Sequence, residues 1–199
     1  YLLSSQTEKL IEDLYLGRFP LGFLRKNINE TEPVFRSASI VHFDMKSIKA
    51  SELPHSSGLF PNGLFNHEAA ILSRYAGISN KARCILFSNT SVASTGADGR
   101  QQLAQMIWYF IEGVNYRAND YPFGLKDQYK KFIVPIEDQI LNFYKSHKSG
   151  RWWMEVPFPS DLKSKFIRHQ MVPCSYADYE LALSGEVPDR WFQTFEKLA

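Results

Sequence analysis

The sequence is poor in several features that would narrow its function at once. It has two cysteines among 199 residues, Cys84 and Cys174, which are too few for a disulfide scaffold and typical of a reducing compartment. Its apolar runs are shorter than the roughly 18 residues of a membrane span, and no secretion signal is recognisable. The net charge of +2 provides no strong attraction to nucleic acid or anionic membranes. We therefore expect a cytoplasmic protein that binds neither nucleic acid nor membrane.

Motifs of common catalytic sites are missing as well. The G-x-S-x-G turn that presents a nucleophilic serine does not occur. The glycines at positions 58 and 63 are not followed by the G-K-[ST] pattern of a phosphate-binding loop. The sequence thus gives no support for nucleophilic catalysis or for nucleotide hydrolysis.

The remaining composition is that of an ordinary globular domain. Hydrophobic residues make up 44% of the chain and charged residues 22%, and 199 residues are enough to bury one substantial core. The chain begins at Tyr1, in the middle of a pattern and without Met. We therefore expect it to be a piece of a longer protein.

The first half alternates helix and strand patterns. Residues 4–16 predict an amphipathic helix, residues 19–24 a brief strand, and residues 29–38 a short helix. Residues 39–45 form an apolar run with one aspartate, which is typical of a buried parallel strand. A second buried strand is predicted at residues 82–89.

Two longer helices are predicted to flank that second strand. The first covers residues 66–76, with Asn66 as its N-cap and Gly77 as its C-cap. The second covers residues 100–115, capped by Asp98 or Thr95. Its inward stripe should cover the sheet and consists of Leu103, Met106, Ile107, Phe110 and Ile111.

After residue 121 the pattern becomes antiparallel. Strands are predicted at residues 131–136, 139–145 and 151–156, with His-Lys-Ser-Gly as a hairpin turn between the last two. Three helices should follow, at residues 161–171, 175–183 and 188–198. We therefore divide the chain into 1–120, an α/β part, and 121–199, a C-terminal extension.

The hairpin also suggests a binding surface. Strand alternation places Trp152 and Trp153 on opposite faces, so one tryptophan should be buried and the other more exposed. An exposed Trp153 beside Lys148 and Arg151 could anchor a protein partner or a second copy of the chain. The alternative is a hairpin that merely covers one end of the core, and we favour this alternative.

The candidate chemistry lies at the end of the first strand. Ligands of α/β sheets bind beyond the carboxyl ends of the strands, which is where Asp44 stands. A spacing of two predicts that His42, Asp44 and Lys46 share one face. His42 and Asp44 could bind a metal, but two ligands are too few without further residues. A structural polar cluster is therefore the favoured interpretation.

Several motifs in order resemble a known family. They are a strand with Phe43-Asp44-Met45 at its end, a loop ending in PNGLFNHEA, a helix ending in RYAG, another strand, and then QLAQMIWYFIEG. This order resembles the C-terminal half of the arginase, agmatinase and formiminoglutamase family, the manganese ureohydrolases, over residues 28–119. The resemblance implies a three-layer α/β/α domain with a mainly parallel sheet. Active relatives hydrolyse guanidino or formimino C–N bonds with a metal pair.

The chain departs from the family pattern where the metal would bind. In the family the strand ends in S-x-D-x-D-x-x-D-P; Asp44 matches the first metal ligand, but Lys46 stands at the second. The next strand ends in Ser88-Asn89 rather than in the family's E-x-N-P type motif, so a second functional carboxylate is missing. The family's upstream ligands, a histidine and a D-x-H-x-D run, do not occur in this sequence.

These departures decide the functional prediction. We expect a catalytically inactive, arginase-like fragment with a degenerate metal site, no cofactor, and a binding or structural role. Lys46, Asn89, Arg151 and Trp153 are its candidate binding residues, and no catalytic residue is assigned. The alternative is a manganese-dependent hydrolase, with Asp44 and His42 as ligands, that is completed by an N-terminal half absent from this chain.

Overall fold

The computed structural model describes residues 4–53, 61–91, 96–122, 126–137, 139–157 and 170–198. The chain divides into two compact units. One unit comprises Phe19–Asn119 and is called the parallel unit below. The other comprises Tyr1–Arg18 together with Asp120–Ala199 and is called the antiparallel unit. Each sheet belongs to one unit, so the fold is of the mixed α/β class.

The parallel unit follows the predicted order closely. Its helices and strands are α2 (Leu21–Lys26), α3 (Glu32–Ser37), β1 (Ile40–Asp44), α4 (Asn66–Ile78), β2 (Cys84–Ser88) and α5 (Ala97–Asn115). Short 3-10 turns precede α3 at Ile28–Thr31 and follow β1 at Met45–Ser47 and Ala50–Glu52. Both predicted strands and both longer helices are confirmed, whereas the strand predicted at residues 19–24 is wrong because α2 forms there.

Strands β1 and β2 pair in parallel, from Ile40 opposite Cys84 to Asp44 opposite Ser88. The alternating pattern of β1 buries Val41 and Phe43, which join the core formed with α4. Phe43 also stacks on Phe87 of β2, with ring centroids 5.8 Å apart. The opposite face of the sheet carries Ile40 and Leu86, and both are exposed.

The two long helices approach each other through glycine. A Cβ atom on Gly113 of α5 would lie 2.6 Å from the carbonyl oxygen of Arg74 in α4, and Gly77 is the glycine that faces it. The prediction that Gly77 is a C-cap is therefore wrong: α4 continues to Ile78, and Gly77 permits close packing. Asn66 is likewise the first helical residue rather than the cap, which is Phe65. The carboxylate of Glu68 accepts the backbone N–H of Phe65 at 2.8 Å.

The predicted inward stripe of α5 is only partly correct. Met106 is buried and Leu103 and Phe110 pack against the core, as expected. Ile107 and Ile111 are exposed instead. The physical reason is that α5 packs mainly on α4, so the side of the helix that carries these two isoleucines faces solvent.

The antiparallel unit contains the remaining helices and strands. They are α1 (Ser5–Asp13), β3 (Tyr129–Ile136), β4 (Gln139–Ser146), β5 (Trp152–Glu155), β6 (Met171–Cys174), α6 (Tyr176–Leu183) and α7 (Asp189–Leu198). A 3-10 turn at Lys126–Gln128 leads into β3. The three predicted strands, the N-terminal helix and the last two helices are confirmed. Ser175 caps α6 and accepts the backbone N–H of Asp178.

The sheet of this unit is antiparallel throughout, in the order β3-β4-β5-β6. The predicted hairpin between β4 and β5 is confirmed, with Tyr144 opposite Trp153. Strand β6 was not predicted, because Met171 was assigned to a helix at residues 161–171. Residues 161–169 of that helix lie outside the described part of the chain. Pro173 lies within β6 opposite Trp153.

Buried aromatic side chains lie on both faces of the antiparallel sheet, although Ile133 and Ile140 are exposed. On one face Trp152 joins a cluster with Phe143, Met154 and Trp191, and its ring stacks on Tyr179 at 4.9 Å. On the other face Trp153 packs edge-on against Tyr129, with ring centroids 5.8 Å apart. Trp152 is 7% exposed and Trp153 is 2% exposed. The prediction that one of the two is exposed is therefore wrong, because each face has its own aromatic partners.

Across the described ranges, the model contains no helix with the length and apolar character needed to cross a bilayer.

Candidate functional site

Four polar side chains meet at the carboxyl ends of β1 and β2. Asp44 ends β1 and lies opposite Ser88, which ends β2. His42 shares the strand face of Asp44, and Asn89 follows Ser88 directly. We call these residues, His42, Asp44, Ser88 and Asn89, the carboxyl-edge cluster. Parallel strands bring such residues together because their carboxyl ends reach the same edge of the sheet.

Asp44 is held by two hydrogen bonds to a single oxygen. Its Oδ1 accepts the backbone N–H of Lys46 at 2.9 Å and the side-chain Nδ2–H of Asn89 at 2.8 Å. Asn89 has a φ of 53°, a left-handed conformation that asparagine tolerates better than most residues. The carboxylate of Asp44 therefore joins the two strand ends and caps the turn that follows β1.

The charge state of Asp44 follows from these contacts. Burial alone raises the pKa of Asp44, because it disfavours the charged form. The hydrogen bonds from Lys46 and Asn89, together with the positive charges of Lys46 and His42, outweigh burial and lower the pKa below its usual value. Asp44 is therefore an ionised carboxylate at neutral pH.

His42 is engaged with the neighbouring strand. Its Nε2 lies 2.8 Å from the hydroxyl oxygen of Ser88, which is a hydrogen bond whose direction depends on the imidazole tautomer. Sequence reasoning missed Ser88 as a member of this site. The signal was available, because Ser88 ends the second strand just as Asp44 ends the first.

Lys46 does not lie where strand alternation predicted. Strand β1 ends at Asp44, and Met45–Ser47 is a 3-10 turn whose first residues bend away from the strand direction. The prediction that Lys46 shares the face of His42 and Asp44 is therefore wrong. Its backbone N–H, rather than a position on that face, brings it into contact with Asp44.

The family resemblance implies a manganese pair at this edge. Mn²⁺ prefers several oxygen ligands with free lone pairs. Oδ1 of Asp44 already accepts two N–H groups, and Nε2 of His42 is bonded to Ser88. Within the described ranges, no three His, Cys, Asp or Glu side chains converge on a common point. The described residues at this edge therefore supply Asp44 and His42 as possible ligands, fewer than a metal pair needs, and the degenerate metal site stays a prediction.

The two predicted binding residues of the hairpin belong to the interior of the antiparallel unit. Arg151 lies 3.7 Å from the buried carboxylate of Asp120, which also accepts the hydroxyl of Ser149. Trp153 is buried beside Tyr129 and Tyr144. These contacts give both side chains a structural role. The assignment of Arg151, Trp153, Lys46 and Asn89 to ligand binding stays a prediction.

A groove lies between α1 and α7 of the antiparallel unit, and sequence reasoning missed it too. The Tyr15 hydroxyl donates to Glu196 across it at 3.4 Å, and Arg18 pairs with Glu8 at its rim at 3.3 Å. It encloses about 430 Å³ and is lined by Glu8, Ile11, Glu12, Tyr15, Leu16, Arg18 and Gln193. Most side chains that line the groove belong to residues 4–16, for which the sequence predicts an amphipathic helix.

No protein-family model matches this chain, and no curated protein sequence matches it. Solved structures do resemble it. Trypanosoma cruzi formiminoglutamase with Mn²⁺ shares 21% identity over 57% of this chain and 41% of its own, with a TM-score of 0.48. Bacillus subtilis formimidoylglutamase shares 17% identity over 61% of this chain and 40% of its own, with a TM-score of 0.49.

Entamoeba histolytica arginase, in complex with L-ornithine, shares 14% identity over 55% of this chain and 40% of its own, with a TM-score of 0.45. The chain thus spans about 40% of the length of the structures it resembles. The solved structures that this chain resembles are thus formiminoglutamases and an arginase, as the sequence motifs predict, and the likeness covers 55–61% of the chain.

Proposed function

We propose that this chain is an arginase-like α/β module that lacks a hydrolytic centre of its own and serves a binding or structural role. One observation carries the proposal: the carboxylate that matches a family metal ligand is used to join two strand ends. Oδ1 of Asp44 receives hydrogen bonds from Lys46 and Asn89. These two hydrogen bonds favour a structural role for the Asp44 carboxylate.

Hydrolysis of a guanidino or formimino C–N bond by this family's chemistry requires a metal-activated hydroxide at neutral pH. A metal pair in turn requires several carboxylates or imidazoles pointing at a common centre. Asp44 and His42 each point to a protein hydrogen-bond partner, which favours a structural use of the cluster. The degenerate metal site is part of this proposal.

The three-layer architecture and the domain division belong to the proposal too. Parallel sheets normally have both faces covered, whereas Ile40 is 68% exposed and Leu86 is 53% exposed on one face of the β1–β2 sheet. These exposed apolar side chains favour a covering layer and hence a three-layer arrangement. We keep 1–120 as the arginase-like part, 121–199 as the extension, and the cytoplasm as its location.

A second candidate function is a manganese-dependent C–N hydrolase completed by a segment that this chain does not contain. Two observations favour it: Asp44 is ionised, and it shares a strand face with His42 at the edge where α/β enzymes bind ligands. In this case Asp44 and His42 would hold manganese, and further ligands would come from the other segment.

Metal analysis tests the proposal, because manganese held by this chain at the carboxyl-edge cluster would contradict it. The purified chain is saturated with MnCl₂, dialysed, and measured by inductively coupled plasma mass spectrometry beside the Asp44→Asn variant. The proposal predicts the same substoichiometric manganese content for both proteins. Retention of one ion or more per chain, lost in Asp44→Asn, would instead support the hydrolase. Urea and formamide release from guanidino and formimino compounds would then be assayed.

A further inference from the structure

Two lysines face each other at one end of the antiparallel sheet. Lys130 of β3 lies directly opposite Lys145 of β4, and Trp152 of β5 lies opposite Lys145 on its other side. Directly opposite residues of antiparallel strands place their side chains on the same face, with Cβ atoms about 4.5–5.5 Å apart. Both lysines are exposed. We call Lys130 and Lys145 the lysine pair.

The lysine pair lies over two adjacent aromatic rings. Nζ of Lys130 is 5.1 Å from the ring centre of Phe132, and Nζ of Lys145 is 5.3 Å from the ring centre of Trp152. The two ring centres are 5.0 Å apart. Aromatic faces attract ammonium groups because they carry partial negative charge. Both ammonium groups are therefore held over one ring pair rather than extended separately into solvent.

The charges of the lysine pair are not balanced by a nearby acidic group. Like charges directly opposite each other on neighbouring strands destabilise a sheet. No carboxylate in the described ranges forms an ion pair with either lysine. Asp178, in the first turn of α6, is engaged elsewhere: it accepts the backbone N–H of Ser175 at 2.7 Å and pairs with Arg190 at 3.0 Å. The arrangement therefore favours an anion from outside the chain.

The opposite face of the same sheet shows the contrasting arrangement. Nζ of Lys131 lies 5.7 Å from the ring centre of Tyr144, and the hydroxyl of Tyr144 donates to the carboxylate of Glu155 at 2.8 Å. A negative charge thus lies beside the ring that this lysine approaches. Lys131 is exposed like the lysine pair, so the two faces differ in their acidic neighbours rather than in the exposure of their lysines.

Two adjacent ammonium groups match a doubly charged anion better than a singly charged one. A phosphate monoester carries a charge of about −1.5 to −2 at pH 7 and has three acceptor oxygens, so it can accept hydrogen bonds from both lysines. A carboxylate carries one negative charge. Tyr176 is 53% exposed, and its ring centre lies 5.5 Å from that of Trp152. This exposed ring can contact the organic part of such a ligand.

We propose that the lysine pair binds the phosphate group of a small organic phosphate monoester, with the Tyr176 ring beside it. The inference goes beyond the proposed function and is independent of it, since it uses no residue of the carboxyl-edge cluster. Both charged contacts are open to solvent and are therefore screened by salt. We expect weak binding that becomes weaker still as the ionic strength rises.

An NMR titration of the ¹⁵N-labelled full chain with phenyl phosphate, at constant ionic strength, tests the proposal. The indole signal of Trp152 and the backbone amides of Lys130 and Lys145 should shift and reach saturation. The indole signal of Trp108, which lies in the parallel unit, should not move. Lys130→Gln and Lys145→Gln should each weaken binding about tenfold, because each removes one charge-assisted hydrogen bond.

Lys131→Gln is the matched control, because it removes the same charge from the opposite face of the sheet. This variant should bind phenyl phosphate as the unchanged protein does. Benzoate, which carries a single negative charge on the same ring, should bind more weakly than phenyl phosphate. All three lysines are exposed, so the circular dichroism melting curves of the variants should show that each one is folded.

Three results would overturn the proposal. The first is a Trp152 indole signal that does not shift with phenyl phosphate. The second is equal weakening by Lys131→Gln, because binding would then follow the net charge of the protein rather than the lysine pair. The third is benzoate binding as tight as that of phenyl phosphate, because the site would then not select a doubly charged anion.

Discussion

The two units of this molecule differ in how the faces of their sheets are covered. The four-stranded antiparallel sheet has aromatic clusters on both faces, with Trp152 on one face and Trp153 on the other. The two-stranded parallel sheet is covered on the face of Val41 and Phe43 and leaves Ile40 and Leu86 exposed on the other. The antiparallel sheet therefore has a buried cluster on each face, although Ile133 and Ile140 remain exposed, whereas the β1–β2 sheet has a buried cluster on one face.

The polar groups near the two sheets can be compared as well. In the antiparallel unit Arg151 and Asp120 form a largely buried ion pair within the fold. In the parallel unit the carboxyl-edge cluster lies partly open at the end of the sheet, where ligands of α/β proteins bind. We therefore place the candidate site on residues 40–44 and 84–89, whereas binding by the tryptophan hairpin stays a prediction.

The largest effect on the free energy of unfolding is expected for the two buried tryptophans of the antiparallel unit. Trp152→Ala and Trp153→Ala should each lower the free energy of unfolding by about 3–5 kcal/mol, because each removes a large buried ring. Chemical denaturation monitored by circular dichroism measures both. Phe192→Ala, which truncates a half-exposed ring of the same unit, is the control and should cost far less. If Trp153→Ala alone lowered the free energy of unfolding only slightly, the result would favour the prediction that Trp153 binds a partner.

A smaller effect is expected at the helix crossing of the parallel unit. Gly113→Ala places a methyl group 2.6 Å from the Arg74 carbonyl oxygen and should destabilise the protein by about 1–3 kcal/mol through overpacking. Gly22→Ala in α2 is the matched control, since nothing lies within 4 Å of its new Cβ. That control should be neutral or stabilise by about 0.5–1 kcal/mol, because alanine has the higher helix propensity. Equal destabilisation by both variants would contradict the close α4–α5 approach.

The smallest expected effect is on the stability of the protein at acidic pH. The pKa of Asp44 is lower in the folded protein than its ordinary value of 3.8, so the unfolded chain takes up this proton first as the pH falls. The stabilisation from Asp44 is therefore complete above that ordinary value and is lost as the pH drops through the lower folded pKa. Carboxyl-detected NMR titration should give a midpoint for Asp44 below 3.8.

The Asn89→Ala variant should raise that midpoint, because it removes one hydrogen bond to the ionised form. A midpoint that stays the same in Asn89→Ala would show that the amide contributes nothing to the charge state of Asp44.

Local patterns predicted much of the fold. Strands β1 and β2 were recognisable as short apolar runs, and the β4–β5 hairpin was recognisable from two strand-like runs joined by turn residues. The strand prediction for residues 19–24 was wrong because a short apolar run with Pro20 and Gly22 is compatible with a helix as well as with a strand. Strand β6 was missed because Pro173 is unusual in a strand.

The errors about packing and burial have a different cause, because packing and burial depend on residues that are distant in the sequence. Gly77 has the sequence context of a C-cap, and only the arrival of Gly113 from α5 reveals its packing role. Ile107 and Ile111 fit an inward stripe, but their exposure depends on which elements lie beside α5. Trp153 is buried by Tyr129, a residue two strands away across the sheet. No spacing rule within one segment contains this information.

The central claim is that the carboxyl-edge cluster is a satisfied polar cluster rather than a metal centre. Its most direct test is a Mn²⁺ titration followed by NMR, since the paramagnetic ion broadens only the signals of nuclei near its site. The account predicts that equimolar Mn²⁺ leaves the Asn89 side-chain amide and the His42 imidazole as sharp as signals of the antiparallel unit. Selective loss of these two signals at one equivalent, reversed by a chelator and absent in Asp44→Asn, would contradict it.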